Sequence, residues 1–142
     1  MNLETINAFT TAQAPRVLAI LRIMTGLLFM SHGTTKLFNF PPRAGTGPAL
    51  DLFARGGGAH GLFEALGGVL IVFGLFTRPV AFLLSGEMAF AYFLAHAPRS
   101  FFPTLNGGVP AIMYCFVFLY FAFVGAGVWS LDEARARKTG AA

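Results

Sequence analysis

Four apolar stretches dictate what this chain can become. They run from Arg16 to Phe40, Ala59 to Phe76, Pro79 to Ala97 and Val109 to Trp129. Each is near the ~20 residues that carry a helix across about 30 Å of hydrocarbon. In lipid the backbone must satisfy its own hydrogen bonds, which at this length only a helix does. The expectation is an all-α fold, a four-transmembrane-helix bundle with antiparallel up-down topology. Composition agrees: 56% of the 142 residues are hydrophobic and 11% charged, where a soluble domain carries about 25% charge. That balance argues against a disordered tail, a nucleic-acid binder coated in basic residues and a typical cytosolic enzyme. The chain divides into a polar, interfacial segment (1–15), a four-helix membrane domain (16–130) and a polar basic tail (131–142). The first apolar run is too long for a cleavable signal peptide and lacks a small-residue cleavage site.

The connections differ in kind. Residues 41–58 hold three Pro and five Gly, and within them Ala49–Arg55 has the makings of one or two helical turns on the membrane surface. The second connection is essentially Thr77-Arg78, with Pro79 suited to the first turn of the next helix, so spans two and three form a tight hairpin. The third, Pro98 to Gly108, carries Arg99, Phe101, Phe102 and Asn106, an interfacial composition. An even number of spans puts both termini on one side. That side holds five basic residues (Arg16, Arg78, Arg135, Arg137, Lys138) against four on the other (Lys36, Arg43, Arg55, Arg99), which favours cytoplasmic termini. The expected location is a bacterial-type inner membrane.

Ionisable residues inside a span cost roughly 2.5–3.5 kcal/mol each at mid-bilayer on insertion scales, so each needs a reason. Here they are Arg22, His32 and Lys36 in span one, Glu64 in span two, and Glu87 and His96 in span three. Counting depth at about 1.5 Å per residue gives two layers. Arg22 and Glu87 fall together as an ion pair nearer the termini; His32, Lys36, Glu64 and His96 gather toward the opposite face. Arg22, Thr25, Phe29, His32 and Lys36 follow i+3/i+4 steps and share a stripe. His96, nine residues beyond Glu87, points about half a turn away from it unless the helix is distorted. Gly67 and Gly74, seven apart, mark a face where another helix can approach closely.

Two readings of these residues compete: a neutral ion network that fixes helix register, and a ligand-binding or reactive site. With Asn106 from the third connection, the candidates are Arg22, His32, Lys36, Glu64, Glu87, His96 and Asn106. No metal site is expected, since His32 and His96 lack ligand spacing. Cys115 is the single cysteine, so thiol–disulfide chemistry within the chain is excluded. The aromatic run of span four reads as lipid-facing bulk and packing.

In order and spacing these residues resemble the DoxX-like small integral membrane proteins. The resemblance rests on Arg22-Ile-Met-Thr-Gly-Leu-Leu-Phe with Ser31-His-Gly-Thr-Thr-Lys36, then Gly61-Leu-Phe-Glu-Ala-Leu-Gly-Gly68 and Gly74-Leu-Phe-Thr-Arg-Pro79. It continues through Gly86-Glu-Met-Ala-Phe90, Asn106-Gly-Gly108 and Gly125-Ala-Gly-Val-Trp-Ser-Leu-Asp132. One departure is Val109, where the family pattern often has an acid after Asn-Gly-Gly. The resemblance implies a four-helix inner-membrane bundle with cytoplasmic termini. It also implies a subunit or partner of redox systems, among them quinone-linked sulfur oxidation and assemblies with oxidative-stress enzymes.

The leading functional expectation is an accessory subunit of a redox or respiratory membrane assembly. A quinone headgroup would bind in the outer polar layer, with Lys36 or His32 donating to its carbonyl and Glu64 relaying a proton. No haem-ligand pair, flavin motif or set of Fe–S cysteines is present, so the chain is at most a membrane subunit of an oxidoreductase, with no intrinsic cofactor. The alternative is a structural or docking subunit with no ligand or catalysis of its own. A small transporter is disfavoured by four spans without a visible repeat. Expected partners are the lipid bilayer and other membrane subunits or a second copy, not nucleic acid.

Overall fold

The computed structural model describes residues 2–42 and 58–140; the segment Ala49–Arg55 lies outside them. Every regular element among the described residues is helical. They are α1 (Leu3–Phe38), α2 (Gly58–Phe73), α3 (Thr77–Ala91), α4 (Pro103–Asn106), α5 (Val109–Val124) and α6 (Leu131–Thr139). α3 passes into a π-helical turn at Tyr92–His96 and then a 3-10 turn at Ala97–Arg99. Two helices are long and apolar enough to cross a membrane, Leu3–Phe38 and the run Thr77–Arg99. α2 and α5, 16 residues each, are apolar but shorter.

α1 starts earlier than the first apolar stretch. Asn2 caps it by accepting from the Thr5 amide at 2.8 Å, and the helix runs unbroken past Pro15 to Phe38. At the other end Asn39 adopts a left-handed conformation, φ 52°. The expected hairpin between spans two and three is present, but its turn is Gly74–Phe76 and not Thr77-Arg78. Gly74 takes φ +61°, where a Cβ would sit 2.5 Å from Ser130, so glycine ends α2 there. The carboxylate of Asp132 then accepts from the Phe76 and Thr77 amides at 2.8 Å each, starting α3 at Thr77. α5 likewise stops at Val124, five residues short of Trp129, because Gly125 and Gly127 take positive φ. The basic tail forms α6, capped by Ser130.

Two pairings build the core. α1 lies against α2 in opposite directions, Gly26 facing Val72 and Gly33 facing Gly61 and Ala65. α3 and α5 also run oppositely, with the Ser85 hydroxyl donating to the Cys115 carbonyl at 2.9 Å. Phe29 of α1 joins the two by meeting Phe118 edge-on, ring centres 4.8 Å apart. The small-residue face against α1 is made by Gly61 and Gly68. Gly67 instead faces Leu84 of α3, and Gly74 lies in the turn, so the expected Gly67/Gly74 face does not form.

The partition of residues is the reverse of a soluble domain's. Arg22, Glu64, Thr77, Ser85 and Asn106 are buried, while Leu28, Phe82, Phe90, Phe93, Phe116 and Phe123 are exposed. A continuous apolar exterior of this kind needs an apolar medium or partner. Of the aromatic run in α5, Phe118 and Phe121 pack in the core and Phe116, Tyr120 and Phe123 are on the exterior.

Candidate functional site

The buried polar residues separate into two groups at opposite ends of the helices. The group near the termini is built on Arg22. Its guanidinium donates to the carbonyls of Ile71 (2.7 Å) and Val72 (2.5 Å) at the end of α2. It also reaches Ala126 (2.8 Å) and Trp129 (2.9 Å) in the segment before α6. The last carbonyls of a helix lack amide partners and carry its negative dipole end, so a fully buried cation serves both needs. Arg78 does the same for α5, donating to the carbonyls of Ala122, Phe123 and Val124.

The expected Arg22–Glu87 ion pair is absent. Arg22 stands beside Gly74, at the foot of α3, and Glu87 is ten residues above Thr77, roughly 15 Å up that helix. Taking Arg16 and Pro79 as one level puts Arg22 too deep, because Arg22 itself, six residues above Arg16, is level with the foot of α3. Glu87 pairs instead with His60 of α2, Oε1 to Nδ1 at 3.0 Å, its side chain 7% exposed.

The second group forms as expected at the far end. Lys36 donates to Glu64 Oε1 at 2.6 Å. Glu64 is buried, and its other oxygen, Oε2, has no partner among the described residues. Lys36, Glu64, His32 and His96 line a cavity of about 350 Å³ whose other walls include Phe29, Met88 and Tyr114. That size is at the lower end of small-molecule sites. The distortion that His96 required is the π turn at Tyr92–His96, which shifts side-chain azimuth relative to an α-helix. The ring of His96 is then fixed at Nδ1, 3.0 Å from the Asn106 carbonyl.

Asn106 itself stays out of the cavity. Its amide donates to the Ser100 carbonyl at 2.8 Å, and its side-chain oxygen accepts from the Gly108 amide at 2.7 Å. It holds the turn that holds His96. His60, Tyr114, Arg78 and Asp132 were not among the expected site residues. His60 was discoverable, since it precedes Glu64 by four residues and shares its helix face. Tyr114 meets His32 edge-on at 5.9 Å and was hidden in an aromatic run. Arg78 and Asp132 act on backbone far away in sequence, which leaves no local pattern.

The cavity thus offers two kinds of hydrogen-bonding partner in an apolar setting. Lys36 and His32 can donate; the free oxygen of Glu64 can accept. No cluster of three or more His, Cys, Asp or Glu side chains suited to a metal ion occurs among the described residues.

The DoxX family profile matches residues 17–97, which covers α1 from below Arg22, α2, and α3 as far as the π turn. An uncharacterized protein of Haemophilus influenzae is 44% identical over 84% of this chain and 90% of its own. An uncharacterized membrane protein of Mycobacterium tuberculosis is 29% identical over 89% of this chain and 86% of its own. No solved structure matches. With the family profile spanning more than half its length, this apolar-surfaced, all-helical chain belongs to the DoxX family.

Proposed function

We propose that the protein is an accessory subunit of a membrane redox assembly and binds a quinone headgroup in the cavity beside Lys36 and Glu64. In this reading α1, α2, α3 and α5 all cross the inner membrane as a four-helix bundle, with both termini cytoplasmic. α2 and α5, at about 24 Å each, lie lengthwise against the two longer helices. The observation that carries the functional reading is Glu64: 3% exposed, tied to Lys36 through one oxygen, with the other unpartnered and on the cavity wall.

Burying half a carboxylate without a partner costs about 1–3 kcal/mol or more, and a ligand with a hydroxyl would offset that cost. A quinol has one, and the oxidised quinone has a carbonyl that needs a donor such as Lys36 or His32. The same cavity therefore suits both redox states. Reduction of the ring takes two electrons from a partner subunit and two protons, one of which Glu64 can deliver.

The competing reading, a docking subunit without a ligand, draws on an apolar groove of about 350 Å³ between α2 and α3. It is lined by residues such as Leu62, Phe63, Leu66 and Leu83. Steady-state kinetics of the purified assembly separate the two. Glu64→Gln keeps the shape and removes the ionisable proton; Lys36, 35% exposed, extends to the interface when unpaired, so the fold survives. Loss of one positioned proton donor lowers quinone turnover about 10²-fold or more. Unchanged quinone-dependent activity in this variant would eliminate Glu64 as a relay.

A further inference from the structure

A larger cavity lies at the other end of the molecule and takes no part in the quinone reading. It is a groove of about 840 Å³ between the end of α2, α1 at Arg16, and α6 with the segment before it. Its rim carries Arg16, Arg137 and Lys138, and its walls include Phe73 and Trp129. We propose that this groove binds an anionic phospholipid, the phosphodiester held on the basic rim and the glycerol and first acyl carbons on the apolar wall.

Charge complementarity is the first argument. Three cations line the groove against one acid, Glu133. Glu133 is taken by Arg137 at 2.5 Å. Among the described residues neither Arg16 nor Lys138 has a carboxylate within ion-pair distance, and Arg16 donates only to the neutral amide of Gln13 at 2.8 Å. Near an anionic leaflet each such residue contributes about a five-fold gain in binding.

Depth and shape are the second. Phe73 is the last residue of α2, and Arg16 is six residues below Arg22, about 9 Å. The groove thus sits where the apolar exterior gives way to the polar α6. Trp129 is at that boundary, 60% exposed, as interfacial tryptophans are. Its backbone is left-handed, φ 58°, and its carbonyl is held by Arg22, so the indole is presented by a fixed backbone. A soluble phosphate would use the rim and leave the apolar wall unexplained; a phospholipid uses both.

Trp129 is the only tryptophan in the chain and lines the groove, so it reports occupancy without a label. The full-length protein would be reconstituted in phosphatidylcholine vesicles containing a minor fraction of either brominated phosphatidylglycerol or brominated phosphatidylcholine. Several-fold stronger quenching of Trp129 by the anionic lipid is expected. Arg16→Gln/Arg137→Gln/Lys138→Gln should bring the two lipids to equal quenching, and Glu133→Gln should widen the preference. All three basic side chains are exposed, so the fold does not rest on them; an unchanged emission maximum without bromine checks this. Equal quenching by the two lipids in the wild type overturns the proposal. So does a preference that survives the triple substitution, or one abolished by millimolar inorganic phosphate, which would assign the rim to a soluble anion.

Discussion

Arg22→Leu is expected to remove the protein from the membrane fraction, or to leave it about 4–6 kcal/mol less stable in mild detergent. The side chain is fully buried and supplies four hydrogen bonds to carbonyls at two chain reversals. Hydrogen bonds from a charged group contribute about 1.5–3 kcal/mol each, and each orphaned buried acceptor costs about 1–3 kcal/mol. Relief from burying the cation returns part of this, which keeps the net below the plain sum. Against a total of about 5–15 kcal/mol for a folded domain, the loss is near the limit of survival. Arg22→Lys should recover only part, because a point-like ammonium has three donors and cannot span acceptors on both sides. Unfolding midpoints across a detergent or temperature series would measure this. If Arg22 owed its burial to a carboxylate, Glu87→Gln would be as damaging. With Glu87 on the partly exposed His60, that variant should be clearly milder.

Gly33→Ala is the second large effect. A Cβ built there falls 2.4 Å from the Ala65 amide nitrogen and 2.6 Å from the Gly61 carbonyl oxygen. Both are backbone, so no side-chain rotation makes room, and α1 and α2 must part by roughly 1 Å to restore van der Waals contact. Overpacking costs about 1–3 kcal/mol, and this case belongs at the upper end. Function should suffer beyond stability, since Lys36 lies three residues above Gly33 and Glu64 adjoins Ala65. Separating the helices lengthens the 2.6 Å Lys36–Glu64 contact. Gly86→Ala is the matched control. Nothing lies within 4 Å of a Cβ there, and alanine in a helix interior should stabilise by about 0.5–1 kcal/mol. Equal thermal shifts for the two variants would show that the glycine-lined α1–α2 contact is looser than described.

Much of this arrangement is legible in the sequence, and the parts that are not share a physical cause. Lys36 and Glu64 meet because each lies near the same end of its span, and depth counting needs only the helical rise. Their cavity neighbour His32 follows from the i+4 step to Lys36. His96 is different: its azimuth depends on the π turn at Tyr92–His96, for which the residues carry no clear signature. Arg22 was misplaced for two reasons. The count takes Arg16 and Pro79 as level, although Arg22 itself stands beside Gly74 at the foot of α3, and its true partners are backbone carbonyls, which every residue has. The caps made by Arg78 and Asp132 escape for the same reason, since a side chain that satisfies a distant helix end has no partner type to search for. The turn at Gly74 could have been read from the glycine itself, a residue suited to ending α2.

The central claim is that the polar cavity near Lys36 and Glu64 exists to hold a quinone. The most direct measurement is extraction of the protein at native expression level in mild detergent, followed by quantification of the quinones and proteins that come with it. Near-stoichiometric quinone in the wild type, falling at least ten-fold in Glu64→Gln with the same protein partners retained, is the expected result. A partner protein at full occupancy with no quinone in either form would contradict the claim and leave Lys36 and Glu64 as an internal fastening of the helices.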